Sequence, residues 1–224
     1  MCGRFMLTVD VSQLQDAFPW LHISGGITPR YNIAPGQPVA VVPNDGTNRL
    51  DFFIWGLIPS WAKDPRMSNR LINARAETLS EKPAFRAAFR RRRCLILADG
   101  FYEWRKEPNG KTKTPMVVRL KSHSPFAFAG LWEIWHSPDG SQVLSCAIIT
   151  TPPNELLASI HDRMPAILPS QAYFDWLTPA EMPPSKLQQL LRPYPAEELI
   201  AYPASRAVNN PDLDTPELIL PYQE

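Results

Sequence analysis

Two apolar runs separated by a turn dipeptide form the stretch Arg93-Cys94-Leu95-Ile96-Leu97-Ala98-Asp99-Gly100-Phe101-Tyr102-Glu103-Trp104-Arg105. The first run, 94–98, is continuously apolar. The second run, 101–105, places a carboxylate among aromatic side chains. Short runs of this kind, bounded by turn residues, are typical of β-strands. The stretch therefore predicts two consecutive strands near the middle of the chain.

Similar runs elsewhere extend this pattern to a whole fold. They predict further strands at 39–42, 50–55, 116–120, 126–131 and 143–150. Asn109-Gly110 and Asp139-Gly140 are typical of hairpin turns between neighbouring strands. Shorter helices are predicted at 11–18, 81–92, 155–161, 171–177 and 185–191. The order of elements predicts an α+β fold, a single domain over residues 1–224 with a curled, mostly antiparallel, barrel-like β core and peripheral short helices.

Composition places the chain among ordinary globular proteins. It has 224 residues, of which 44% are hydrophobic and 20% charged. Its three cysteines are an odd number without a C-x-x-C pair, which argues against a disulfide framework or a zinc site. No apolar run approaches the roughly 20 residues of a membrane-spanning helix, and residues 1–5 lack the features of a secretory signal. We therefore expect a cytoplasmic protein without a membrane partner.

Cys2 is the residue with the most distinctive chemistry. Removal of Met1, which is usual before a small side chain, would leave Cys2 with a free amine beside its thiol. With ordinary pKa values of about 8 and about 8.5, both groups have a reactive fraction near neutral pH. Such a 1,2-aminothiol can attack an acyl group, or it can capture an aldehyde in a thiazolidine ring. Cys94 and Cys146 lie in apolar runs and are typical of buried side chains.

Polar residues at three further places are candidates for a reaction site. Asn73, Arg75 and Glu77 alternate, so an extended segment would direct them to one face, where they suit a phosphate or form a structural ion pair. Glu103 lies between aromatic residues, so burial would raise its pKa and suit it to proton transfer, unless it faces water. His161 lies beside charged residues at an element boundary, which fits a site better than a core.

Basic side chains are concentrated in one part of a chain whose net charge is only +1. They indicate a local site for a polyanion, although a solvated helix flank explains residues 90–93 equally well. Trp61, which follows a proline and a serine, is a candidate for stacking on an unpaired base. The basic residues are Lys63, Arg66, Arg70, Arg75, Lys82, Arg86, Arg90, Arg91, Arg92 and Arg93.

Short motifs along nearly the whole chain resemble, in order, those of the SOS-response-associated peptidase (SRAP) family, whose members crosslink to abasic sites in single-stranded DNA. Each string is weak alone, but the ordered set together with a cysteine at position 2 is specific. The motifs are Met1-Cys2-Gly3-Arg4-Phe5, Arg30-Tyr31-Asn32-Ile33-Ala34-Pro35-Gly36, Trp55-Gly56-Leu57-Ile58-Pro59, Asn73-Ala74-Arg75, Ala98-Asp99-Gly100-Phe101-Tyr102-Glu103-Trp104, Ile160-His161-Asp162-Arg163 and Ser205-Arg206-Ala207-Val208.

The resemblance implies that Cys2, once Met1 is removed, captures the aldehyde of an opened abasic deoxyribose as a thiazolidine. The implied catalytic residues are Cys2, Glu103 as acid and base, His161 at the sugar oxygen, and Asn73 as a positioning group. The implied DNA-binding residues are Arg4, Arg75 and Arg163 at phosphates, with Pro35 and Trp61 as a wedge that ends duplex stacking. The family can have a tandem tryptophan at this wedge, whereas this chain has Trp61-Ala62.

The same resemblance implies partners and side activities. The partner would be single-stranded DNA with abasic sites, including single-strand to duplex junctions. The crosslink would protect the lesion during the DNA damage response. A monomer without metal or cofactor is expected. Met1 could be removed by the protein itself or by an aminopeptidase, and an abasic-site lyase reaction would be a side activity.

Two other classes of function remain open. An N-terminal-nucleophile amidohydrolase or peptidase, such as the glutaminase part of amidotransferases, also begins Met-Cys-Gly and uses the thiol on an amide carbonyl. An oxyanion hole with an Asn-Gly turn would then be expected, and the basic residues would have no use. A non-catalytic single-strand binder would use the basic residues and Trp61 while Cys2 stays inert.

Overall fold

The computed structural model of the chain describes residues 2–108 and 110–222. Its strands are β1 Arg4–Leu7, β2 Arg30–Ile33, β3 Pro38–Pro43, β4 Asp51–Trp55, β5 Asn73–Arg75, β6 Arg93–Ala98, β7 Gly100–Lys106, β8 Lys113–Leu120, β9 Phe126–His136, β10 Gln142–Thr151, β11 Met164–Pro165, β12 Ile167–Leu168 and β13 Leu199–Pro203. Its α-helices are α1 Val11–Ala17, α2 Arg86–Arg91, α3 Glu155–Ala158, α4 Tyr173–Trp176 and α5 Pro184–Leu190. The predicted α+β class is confirmed.

A closed barrel forms the larger sheet. β10 pairs with β4, β4 with β3, β3 with β6, β6 with β9, and β9 pairs back with β10. All of these pairings are antiparallel except that of β10 with β4, so the barrel is mixed. Closure removes free strand edges, and the apolar run of β6 is fully buried, as its sequence requires. The predicted curled, mostly antiparallel core is confirmed.

A second, antiparallel sheet covers the barrel. Its strand order is β13-β8-β7-β1-β2. Phe5 of β1 contacts Trp55 and Phe128 of the barrel, with ring centroids 5.1 and 5.7 Å apart, and Phe101 of β7 also packs against Phe128. Such edge-to-face aromatic contacts contribute about 0.5–1.5 kcal/mol each beyond burial of their area. They hold the start of the chain against the barrel.

The consecutive runs 94–98 and 101–105 are both strands, but each belongs to a different sheet. Asp99 lies at the corner between them and is fully buried. Its carboxylate accepts hydrogen bonds from the backbone of Thr8 at 2.9 Å and from Arg119 Nη2 at 2.6 Å. A buried carboxylate needs such partners, so the corner is fixed by residues of β8 and of the segment after β1.

Four of the five α-helices are shorter than predicted, and α5 has the predicted length. α2 begins at Arg86 instead of residue 81, since Pro83 disfavours helical backbone in the residue before it. α3 ends at Ala158 instead of residue 161, and the segment 171–177 is a 3-10 turn followed by α4. The Asp139-Gly140 hairpin joins β9 and β10, with Gly140 at φ +87°. Asn109, in the other predicted hairpin turn, lies outside the described residues.

The arginine run at 90–93 is structural. Arg90 and Arg91 pair with Glu181, and Arg92 pairs with Glu133 at 2.7 Å. Arg93 is fully buried, so the prediction that it faces solvent with its neighbours is wrong. Its guanidinium donates to the carbonyl oxygens of Phe89, Arg90, Trp176, Thr178 and Ala180. These bonds tie the end of α2 to the segment after α4.

Replacement of Arg93 by methionine should lower the free energy of unfolding by about 3 kcal/mol or more, because several buried carbonyl oxygens would lose their donor. Urea unfolding followed by circular dichroism measures this loss. Arg91→Met is the matched control, because its surface ion pair with Glu181 is worth at most about 1 kcal/mol. Equal losses in the two variants would contradict the structural role of Arg93.

No helix in the described ranges 2–108 and 110–222 is long and apolar enough to cross a membrane.

Candidate active site

Cys2 lies buried two residues before β1, which pairs with β7. β1 and β7 are antiparallel, and Arg4 pairs with Tyr102. This register brings the residues before Arg4 alongside Glu103. The Cys2 side chain is fully buried, and its Sγ lies 3.8 Å from the carbonyl oxygen of Arg4. Burial raises the pKa of the Cys2 thiol well above its ordinary value, and the Glu103 carboxylate raises it further. The thiol is therefore neutral at physiological pH and needs a base before it can react.

The Glu103 carboxylate, which interacts electrostatically with the Cys2 thiol, is the candidate base. It is 1% exposed, although it carries a carboxyl group. Burial raises the pKa of Glu103, while the nearby His161 acts in the opposite direction. A carboxyl group shifted upward in this way can both donate and accept a proton closer to neutral pH. The prediction that Glu103 is desolvated and has a raised pKa is confirmed, but Tyr102 and Trp104 alternate with it along β7 and so lie on the opposite face of the strand.

Asn73 joins the barrel to Cys2. It opens β5, which pairs in parallel with β10. Its Nδ2 donates a hydrogen bond of 2.7 Å to the carbonyl oxygen of Cys2. Across residues 2–108 and 110–222 its buried Oδ1 has no hydrogen-bond partner. Since buried polar atoms are normally paired, this oxygen is an acceptor available to a donor on a bound molecule.

His161 lies in the loop between α3 and β11, and its ring is about a quarter exposed. The backbone N–H of Arg163 donates to His161 Nδ1 at 3.1 Å. The Asp162 carboxylate also lies 2.8 Å from this nitrogen, but Asp162 is 87% exposed and water competes for it. The two contacts favour opposite tautomers of the ring, because the backbone amide needs an Nδ1 without a proton and the carboxylate needs an Nδ1 that carries one.

The three arginines predicted at phosphates differ in how they are held. Arg4 Nη1 donates to Asn32 Oδ1 at 2.6 Å and to a backbone carbonyl at 2.7 Å. Arg163 forms two bonds with the Glu77 carboxylate, at 2.7 and 3.0 Å, so Glu77 does not share a row with Asn73 as predicted. The extended segment ends at Arg75, and Glu77 lies in the turn Ala76–Thr78. Arg75 is exposed.

The two wedge candidates lie on the surface in separate loops. Trp61 is 57% exposed, and its loop is held by a 2.8 Å hydrogen bond from Trp135 Nε1 to the carbonyl oxygen of Ala62. Pro35 is exposed in the turn after β2, where the backbone N–H of Gly36 donates to the carbonyl oxygen of Trp55. Hydrogen bonds and electrostatic contacts connect Cys2, Asn73, Glu103 and His161, whereas these contacts do not join Trp61 or Pro35 to them.

Asn32 is a positioning residue that the sequence did not reveal. It is fully buried in β2. Its Oδ1 holds Arg4, and its Nδ2 donates to the carbonyl oxygens of Asn210 at 2.9 Å and Leu213 at 2.6 Å. No local pattern marks this role, because β2 also carries Arg30 and Tyr31 and the partners of Asn32 lie in distant parts of the chain.

The arrangement suits reactions at a carbonyl carbon. It combines a protonated thiol, a carboxyl group with raised pKa, an amide at the Cys2 backbone and an imidazole beside that carboxyl group. No group of three or more His, Cys, Asp or Glu residues within the described ranges is placed to hold a metal ion.

Comparison with protein families gives a match over nearly the whole chain. The family model "SOS response associated peptidase (SRAP)" matches residues 1–211. The chain is 49% identical to the abasic site processing protein YoqW of Bacillus subtilis over 225 residues, covering 98% of this chain and 99% of that protein. It is 31% identical to the abasic site processing protein HMCES of Xenopus tropicalis over 260 residues, covering 97% of this chain and 77% of that protein.

Solved structures share the fold. A crystal structure of a protein from Bacteroides thetaiotaomicron superposes with a TM-score of 0.86 at 24% identity, covering 99% of this chain and 100% of that one. A crystal structure of a protein from Bordetella bronchiseptica has a TM-score of 0.78 at 25% identity, covering 91% of this chain and 100% of that one.

Proposed function

Because this chain belongs to the SOS response associated peptidase family, we propose that it processes abasic sites in DNA by forming a covalent bond to them through Cys2. The observation that carries the proposal is the convergence of Asn73 and Glu103 on Cys2. The relatives YoqW and HMCES are named abasic site processing proteins, which supports the same substrate class.

The chemistry begins once Met1 is removed. The Cys2 amine adds to the aldehyde carbon of the opened sugar, and loss of one water gives an imine. The thiol then adds to the imine carbon, its proton moves to the nitrogen, and the thiazolidine ring closes. No oxidant or cofactor is consumed. The product is a saturated ring, so the protein remains attached to the lesion.

The neighbouring residues account for the proton transfers. Glu103 takes the proton of the thiol and returns it to the nitrogen, for which its raised pKa suits it. His161, which lies close to Glu103, donates a proton to the sugar oxygen during ring opening. Asn73 fixes the Cys2 backbone through Nδ2 and offers Oδ1 to the amine or the sugar.

Surface residues bind the strand around the lesion. Arg75 is exposed and takes a phosphate, and Arg4 adds positive charge closer to the site, whereas Glu77 compensates the charge of Arg163 until the strand binds. Trp61 and Pro35 form the exposed wedge against which a base or a duplex end stacks, at about 1–3 kcal/mol per stacked base. The ligand is thus single-stranded DNA or a single-strand to duplex junction, bound by a cytoplasmic monomer.

The same groups also suit two side reactions. Cys2 with Glu103 can act on the Met1–Cys2 peptide bond. The imine formed by the Cys2 amine can promote elimination of the neighbouring phosphate, which is an abasic-site lyase reaction. Both reactions use residues of the proposed site, and removal of Met1 also consumes one water and releases methionine.

A denaturing gel tests the proposal. Purified protein is incubated with a single-stranded oligonucleotide that carries one abasic site, and a strand with an intact base is the control. A band shifted by the mass of the protein is expected only with the abasic strand. A passive binder would dissociate and give no shift, and a glutaminase would instead release ammonia from glutamine.

Replacement of Arg75 by alanine should weaken binding and also make binding less sensitive to salt. Loss of one phosphate contact should lower the slope of log K against log salt concentration by about 0.7 for a single strand. Fluorescence anisotropy with an abasic analogue that lacks an aldehyde measures this slope. Arg49→Ala, which removes an exposed arginine before β4, is the control and should leave the slope unchanged. An unchanged slope for Arg75→Ala would exclude the phosphate contact.

A further inference from the structure

A second cationic surface lies beside the site, on the hairpin of β7 and β8. Lys106 and Lys113 are directly opposite each other in the antiparallel register, and both are exposed. Directly opposed residues have Cβ atoms about 5 Å apart, where like charges repel each other. Among the described residues neither lysine forms an ion pair, and the adjacent Glu107 pairs with Arg105. The repulsion would be relieved by an anion bound between them.

The two lysines border a cavity that reaches the site. The cavity has a volume of about 500 Å³ and is lined by Trp104, Lys106, Lys113, Ser159, His161 and Asp162, among others. Trp104 and Lys106 are two residues apart on β7 and therefore lie on one face of the strand. His161 belongs to both the cavity and the site, so a strand bound at Cys2 could continue into the cavity.

The wall of the cavity has the composition of a nucleotide subsite. Trp104 is half-buried, and its Nε1 is held by Asn209 Oδ1 at 2.9 Å, which fixes the plane of the indole. A fixed aromatic plane beside two cations suits a stacked base or sugar with its phosphate. The one carboxylate in the wall, that of Asp162, faces His161 at 2.8 Å.

We propose that this cavity, with Lys106, Lys113 and Trp104, binds the nucleotide on one side of the abasic sugar, while Arg75 serves the other side. Arg75 belongs to the larger sheet, whereas Lys106 and Lys113 belong to the second sheet. Arg75 follows Asn73 within β5, and Lys106 follows Glu103 within β7. A strand that crosses Cys2 would therefore meet one cationic group on each flank. This inference rests on the proposed function and adds the path of the DNA.

Binding of three labelled strands tests the inference. Each contains the aldehyde-free abasic analogue, one with nucleotides on both sides, one with nucleotides on the 5′ side only, and one with nucleotides on the 3′ side only. The Lys106→Gln, Lys113→Gln double variant should bind the two-sided strand more weakly than the wild type does. It should also bind one of the two one-sided strands more weakly, and it should bind the remaining one-sided strand with wild-type affinity. For the affected strands the salt slope should fall by about 0.7, the contribution of the one phosphate bound between the two lysines.

The control is a double variant with the same charge change, Lys121→Gln with Lys186→Gln, because both of these lysines are exposed and lie outside the cavity. It should bind all three strands as the wild type does. Equal weakening of the cavity variant for both one-sided strands, or no weakening, would overturn the inference. Absence of a crosslink between wild-type protein and a natural abasic strand would instead overturn the proposed function.

Discussion

Substitution of Cys2 by alanine is expected to abolish covalent attachment to abasic DNA completely. The alanine variant keeps an N-terminal amine and can form an imine, but it has no thiol to close the ring, and an imine hydrolyses during denaturation. The shifted band on a denaturing gel should therefore fall to the level seen without protein. Binding of the aldehyde-free analogue should change little, because Cys2 is fully buried and contributes no charge to the surface.

Cys146→Ala is the matched control for this experiment. Cys146 is also fully buried and free, and burial raises its pKa as it does that of Cys2, but it lies within β10 of the barrel. Its loss should lower stability and leave crosslinking intact. If the Cys2 variant still formed a band that resists denaturation, a different nucleophile would have to be responsible.

Glu103→Gln should slow crosslinking by about 10²–10⁴-fold, the usual contribution of a positioned general acid and base. Glutamine has nearly the same shape but cannot exchange a proton, so the loss should appear in the rate and not in the affinity for the aldehyde-free analogue. Single-turnover crosslinking measured between about pH 5 and 8 gives the rate. The wild-type rate should change with pH as Glu103 titrates, and the rate of the variant should lack that change. Equal rates would remove Glu103 from the mechanism.

The same substitution should alter stability with a defined sign. Burial raises the pKa of Glu103, so the folded protein binds this proton more tightly than the unfolded chain does. The free energy of unfolding therefore falls as the pH rises from the ordinary carboxyl pKa through the raised one, and stays at the lower level above it. Glu103→Gln removes this fall, so the gain in stability over the wild type should be larger at neutral pH than at pH about 4.

Glu133→Gln provides the comparison for stability. Glu133 is nearly as buried as Glu103, but its carboxylate is paired with Arg92 at 2.7 Å. Loss of that carboxylate leaves a partly buried guanidinium without its partner, which should destabilise the fold. In urea unfolding at neutral pH, Glu103→Gln should therefore raise the free energy of unfolding and Glu133→Gln should lower it. Changes of the same sign in both variants would contradict the view that burial of the Glu103 carboxylate costs stability.

The sequence predicted the long strands because their signal is local. The apolar runs of β3, β4, β6 and β8 and the turn at Asp139-Gly140 were sufficient for that. The short strands β1, β2, β5 and β13 were not predicted. β1, β5 and β13 pair with β7, β10 and β8, which are distant in sequence, and β2 pairs with β1.

The site, like the fold, could be predicted only in part. The residues that motifs pointed to, Cys2, Asn73, Glu103 and His161, are connected in the structure. Their environment depends on contacts that no local pattern contains. Arg163 is bound by Glu77, 86 residues away in sequence, and Arg4 is bound by Asn32 and by the carbonyl oxygen of Val208. Only the folded structure therefore shows which arginines remain available for DNA.

The most direct test of covalent capture by an N-terminal aminothiol is mass spectrometry of the crosslinked protein after digestion of both protein and DNA. We expect the sugar remnant on the peptide that begins at Cys2, with Met1 absent and one water lost relative to the sum of the parts. A remnant attached to a lysine, or to a peptide that still carries Met1, would contradict this expectation.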